Sequence, residues 1–266
     1  SGSSNTAVGK GALVANTTGG NNNAIGYSSL GANTTGSGNV ALGDYSLDAN
    51  TTAAYNTAVG YASLGANTTG ALNTSVGKGS MIVNTTGGGN TAMGVSALDA
   101  NTSGNNNVSI GIYSLSANTT ADNNTAVGYS ALNANTTGAD NIAIGYGALD
   151  SNTTGGNNIA IGVFAMDANT TAVNNTALGY SALKANTSGT QNVGVGKDAF
   201  KNGTTGSYNT ALGVSTLQAV VTGNNNTAVG RKAMYDNTSG ANNVAVGNGS
   251  LENNTSANNN TAVGHQ

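Results

Sequence analysis

An all-β parallel solenoid wound from 17-residue coils is the fold this sequence predicts, and three observations predict it. Glycine recurs at Gly9, Gly26, Gly43 and every seventeenth residue up to Gly264, without one insertion. Between those glycines most positions keep their chemistry, beginning with an asparagine four residues before every one of them, from Asn5 to Asn260. A repeat of this length is too short for a helical hairpin or a propeller blade, and it suits one coil of stacked short strands.

Counting the recurrent glycine as slot five, the coil Asn124–Asp140 reads NTAVGYSALNANTTGAD and can stand for all the others. Slots two to four (Thr125, Ala126, Val127) are β-branched or apolar and predict a strand whose successive side chains point to opposite faces. Gly128 then bends the chain. A second short strand is expected over Tyr129 to Leu132, and Asn135 to Gly138 reads as the return turn. Stacking places each slot about 4.8 Å above its copy, so every slot becomes a ladder. Val127 and Ile144 in slot four, with Leu132 and Leu149 in slot nine, are expected to form two apolar columns meeting inside. Gly128 and Gly145 form the bend ladder, and Asn124 with Asn141, and Asn135 with Asn152, form two amide ladders. Residues 1–266 read as a single array of about 16 coils, a rod of roughly 75 Å at strand spacing.

Composition supports an array over an ordinary globule. The chain has 266 residues, 41 of them glycine, with no proline, cysteine or tryptophan, and 6% charged residues against about 25% in an average soluble domain. Disorder is excluded by the periodic placement of the apolar residues. A net charge of -3 offers no basic patch, so neither nucleic acid nor an anionic membrane surface is an expected partner. No run of 18 apolar residues exists to cross a bilayer as a helix. The chain opens SGSSNTAVG without Met or a targeting segment, which reads as an excised piece of a longer protein. The ends carry no atypical capping coil, leaving two expectations open: excision from a longer array, or end-to-end polymerisation into a fibril.

Variation is concentrated in slots six, seven, ten, sixteen and seventeen. All the charged residues except Asp122, Asp140 and Asp236 sit in the first three of these, which are expected to face solvent or a partner. The slot-twelve asparagines carry two readings. Amides stacked at strand spacing can bond one another and satisfy buried turn polarity. Alternatively, Asn135, Thr136 and Thr137 form an N-glycosylation acceptor of the type that recurs around the array. The ladder is preferred, because slot one shows the same asparagine without that motif in nearly all coils.

Catalysis needs convergent groups of different kinds. His265 is the only histidine and cysteine is absent, so a zinc site and a histidine-dependent triad are not expected within one chain. No enzyme activity, cofactor or metal is expected. Asp150 and Asp167 share slot ten in adjacent coils, where a cation could bridge them, but they read instead as two solvated aspartates. Tyr129, Tyr146 and Tyr180, like Tyr27 and Tyr61, recur at slot six as an exposed stripe that would suit sugar rings or a neighbouring copy. Ice binding is disfavoured, because Thr136 and Thr137 are adjacent and cannot share one flat face.

The segments NTAVGKGAL, NNNAIGYSSL and NTALGYSAL resemble the head repeats of trimeric autotransporter adhesins, whose signature is an Asn, a small hydroxyl residue, then Ala-Ile-Gly. Phage tail fibres carry similar arrays. The period of 17 is longer than that family's head repeat, and the N-T-T-G turn has no counterpart there. The resemblance implies a left-handed parallel β-roll, a homotrimer and an extracellular position. The expected function is a structural or adhesive rod, or a phage fibre segment, with copies of itself and a host-surface or carbohydrate ligand as partners.

Overall fold

The computed structural model describes residues 2–219 and 222–266. Each strand is three residues long and occupies slots two to four, a stretch that is rich in β-branched and apolar residues and bounded by Asn before and Gly after. The chain divides into two compact units, up to Thr137 and from Gly138 onward. The first holds β1 (Thr6–Val8) through β8 (Thr125–Val127), and the second β9 (Ile142–Ile144) through β16 (Thr261–Val263).

Within each unit consecutive strands pair in parallel at a constant offset of one coil. Ala58 lies beside Ser75, and Ser75 beside Ala92. In the second unit Ala160 lies beside Ala143 and Ala177. None of the described residues is helical. Each unit is therefore a parallel β-solenoid, as the period predicts.

The second strand expected at Tyr129–Leu132 is absent. Two tight turns replace it: Ala131 N–H donates to the Gly128 carbonyl (3.4 Å) and Asn135 N–H to the Leu132 carbonyl (3.3 Å). Slots seven and nine are left-handed, with φ of 51° at Ser130 and 54° at Leu132. That conformation costs a non-glycine residue about 1–2 kcal/mol. It persists because stacking still satisfies the turn backbone: Leu115 N–H donates to the Ala131 carbonyl (2.9 Å) and Ser130 N–H to the Ile112 carbonyl (3.1 Å). The turns thus bond from coil to coil much as the strands do.

The two reversals make a narrow coil, and the narrowness decides what lies inside. The centre of each strand points in: Ala58, Ala92, Ala126 and Ala160 are fully buried, as are Leu98, Leu115, Leu132 and Leu149 of slot nine. Slot four points out, contrary to the expectation that it meets slot nine inside. Met93, Ile110, Ile144 and Leu178 are 41%, 37%, 37% and 44% exposed, and Val127 is half-buried. In a three-residue strand the flanking side chains share the face opposite the central one. Only a small side chain fits between strand and leucine: alanine in most coils, and serine at the fully buried Ser75 and Ser109. Where slot three loses even that, at Gly194, the leucine has moved into the space, since an added Cβ would lie 2.2 Å from Leu183 Cδ1.

Candidate functional site

Two asparagine ladders also line the interior, beside the small buried residues of slot eight such as Ser63, Ala97 and Ala131. In slot one, Asn73 N–H donates to Asn56 Oδ1 (3.0 Å) and Asn90 N–H to Asn73 Oδ1 (2.9 Å). Asn73 Nδ2 donates to the Gly87 carbonyl (2.9 Å). In slot twelve, Asn84 Nδ2 donates to Asn67 Oδ1 and also to that same Gly87 carbonyl, both at 3.0 Å. One slot-fifteen carbonyl per coil thus receives an amide from each ladder, which ties the strand side of the coil to the return side.

Asn124, Asn135, Asn141 and Asn152 are all fully buried. Asn135 Nδ2 donates to Asn118 Oδ1 (3.3 Å), and the amides of Asn141 and Asn152 donate to the Gly155 carbonyl (both 2.9 Å). The ladder reading of these residues fits their placement, whereas a glycan on Asn135 has no outlet from the closed coil. Thr136 is half-buried and Thr137 exposed. Gly128 and Gly145, with φ of 136° and 134°, form the bend. Their conformation is one that L side chains rarely adopt.

The slot-twelve ladder is interrupted at Gly203, and its neighbours record the interruption. A Cβ there would lie 2.1 Å from Phe200 Cε2, so the largest slot-nine side chain fills the space of the missing amide. Asn186 Oδ1, which the amide would have reached, is buried without a hydrogen bond. The next slot-twelve residue, Val220, lies outside the described residues.

Two surfaces face outward with distinct chemistry. The outer strand face carries slots two and four: Val, Ile, Leu, Met, Thr and a single Asn23, with no charged residue in any coil. The aromatic stripe of slots six and seven is the other. Tyr27, Tyr45 and Tyr61 pack edge to face with centroids 5.2 and 5.9 Å apart. Tyr113 and Tyr129 pair likewise at 6.2 Å, and Tyr146 pairs with Phe164 at 5.2 Å. Tyr129, Tyr146 and Tyr180 are 46%, 50% and 50% exposed. The slot-seven partners Tyr45, Tyr113 and Phe164 were not anticipated. The sequence signal was available, since slot six of one coil and slot seven of a neighbour fall side by side once the coils are stacked.

Slot ten carries half of the ten carboxylates. Burial pushes the Asp48 and Asp99 carboxyls up from their ordinary value, against hydrogen bonds from Ser96 and the Ala100 backbone in the case of Asp99. Asp167 is raised by burial too, opposed by Lys184, whose Nζ lies 3.9 Å away. Among the described residues no group of three or more His, Asp or Glu converges where a metal ion could be held. None of them forms a helix long and apolar enough to cross a membrane. No known family model matches the chain, and no curated protein matches it in sequence.

Proposed function

We propose that this chain is a non-enzymatic structural and adhesive element, displayed outside the cell or on a virion fibre, that associates with copies of itself through its outer strand face. One observation carries the reading. Every coil presents two outward strand positions that are never charged, and the slot-four aliphatics Ile25, Met93, Leu178 and Leu212 are 40% exposed or more. Exposed apolar ladders of this kind mark association surfaces. The charges stand instead at slots six, seven and ten, where they keep the remaining surface soluble.

A second copy suits the face better than an unrelated partner, because a ladder repeated at one spacing matches an identical ladder coil for coil. The likeness to adhesin head repeats supports the trimeric state and the extracellular position. Nothing in the inventory supplies a nucleophile with its base, since the lone histidine is His265 and cysteine is absent. Sedimentation velocity on the parent and on a Met93→Lys/Ile110→Lys variant tests the proposal. The parent is expected to sediment as a trimer or larger, and the variant as a monomer with an unchanged circular dichroism spectrum. A parent that stays monomeric at its highest soluble concentration contradicts it.

A further inference from the structure

The aromatic stripe is broken once in the first unit in a way that builds a groove. Tyr61 closes the Tyr27–Tyr45–Tyr61 cluster, and Tyr113 opens the next one. The two intervening coils carry Gly79 and Ser96 at slot seven. The result is a groove of about 360 Å³ whose ends are Tyr61 and Tyr113 and whose floor and sides include Lys78, Gly79, Ile82, Val95, Ser96 and Asp99. Three strand spacings separate its two tyrosine walls, about 14 Å. Gly79 leaves the floor open, since the nearest atom to a Cβ built there is Ser96 Oγ at 4.0 Å.

The lining selects a ligand class. Tyr61 and Tyr113 are 53% and 45% exposed, and Ile82 and Val95 add apolar surface between them. Such walls suit a flat partner with apolar faces. One carboxylate, one hydroxyl and one ammonium converge on the same space, so the partner must also carry hydroxyls that both donate and accept. A pyranose ring meets both demands, with C–H faces and a rim of hydroxyls. A phosphate-bearing ligand does not, because Asp99 opposes it and the chain's net charge is -3.

We propose that the groove between Tyr61 and Tyr113 binds a neutral glycan, the tyrosines flanking its pyranose rings while Asp99 and Ser96 take its hydroxyls. This deepens the adhesive part of the function proposed above. It uses a different face from self-association, so the two can fail separately.

The test is titration of the full chain with maltose, cellobiose, lactose and chitobiose, read by tyrosine fluorescence and by saturation-transfer NMR. At least one of these is expected to bind saturably. Truncating either wall, Tyr61→Ala or Tyr113→Ala, is expected to weaken that binding about tenfold or more, as for loss of an aromatic anchor. A third variant, Gly79→Tyr, fills the groove without moving the backbone, because tyrosine already occupies slot seven in the same conformation at Tyr45 and Tyr113, with φ of 59° and 56°. It is expected to abolish binding. Tyr180→Ala, which is not part of the groove's lining, is expected to leave binding unchanged. The proposal is overturned if none of the four sugars binds, if Gly79→Tyr or either wall variant binds as the parent does, or if Tyr180→Ala weakens binding equally.

Discussion

Replacing Asn73 by alanine removes one rung of the slot-one ladder and shows what the ladder contributes. The side chain accepts from Asn90 N–H and donates to the Gly87 carbonyl. Its own N–H keeps Asn56 Oδ1, and the Gly87 carbonyl keeps Asn84 Nδ2. Asn90 N–H keeps nothing, and it is buried. An orphaned buried donor costs about 1–3 kcal/mol and the lost amide bond about 1 kcal/mol, giving roughly 2–4 kcal/mol in all. Asn73→Asp separates the bond from the cavity. It retains the acceptor but sets a carboxylate against the Gly87 carbonyl, so its folded-state pKa must rise above the unfolded value of about 3.9. The folded state then holds the proton more tightly, so stability is fully present below that unfolded value and is lost as pH rises through the folded one. In acid, the carboxylic O–H can donate to Gly87 as the amide did. Urea unfolding followed by circular dichroism, with hydrogen exchange at the Asn90 amide as the local probe, measures both variants. An alanine variant within about 0.5 kcal/mol of the parent, or an aspartate variant insensitive to pH, refutes the account of the ladder.

Three further outcomes are expected. Gly111→Ala forces a Cβ to within 2.3 Å of the Gly128 carbonyl oxygen at a φ of 135°; it is expected to cost more than about 3 kcal/mol, seen as a chain that does not fold or that melts far below the parent. At the ladder's gap, Phe200→Leu and Gly203→Asn are each expected to destabilise by about 1–3 kcal/mol, one by a cavity and one by overpacking. The double variant is expected to lose less than their sum, and strict additivity in a double-mutant cycle contradicts the pairing of Phe200 with Gly203. Finally, Asp48, Asp99 and Asp167 are raised by burial, so each binds its proton more tightly when folded. Their contribution is fully present below the unfolded-state pKa and is lost as pH rises through the raised values. The urea midpoint is therefore expected to rise as pH falls from neutrality toward the ordinary aspartate value of about 3.9, where acid usually destabilises, and a falling midpoint contradicts the assignment.

The period, the strand at slots two to four and the two asparagine ladders were legible because each rests on identity repeated at one spacing. Which strand face lies inside was harder to read. Val127 and Leu132 look equally core-like as residues, and alternation says only that slots three and four oppose each other, not which of them points in. The small residues of slot three held the answer: a coil too narrow for more than alanine or serine there must send its larger neighbours outward. The missing second strand has a similar cause. Slot seven is glycine at Gly11, Gly79, Gly147 and Gly249, a trace of its left-handed backbone. Slot nine is Leu, Met or Phe throughout, residues that give no local sign of φ above zero. The groove at Tyr61 escaped the sequence because it depends on what Gly79 and Ser96 lack, and on neighbours that only stacking brings together.

Methyl-resolved NMR tests the central claim most directly. Residues one coil apart should touch, with the slot-four and slot-nine columns on opposite sides of the strand. Cross-peaks are predicted between Ile25 and Leu42 and between Leu98 and Leu115, with none joining Ile110 to Leu98 or Leu115 across the strand. Contacts between the slot-four and slot-nine methyls, or no contact between residues one coil apart, contradict it.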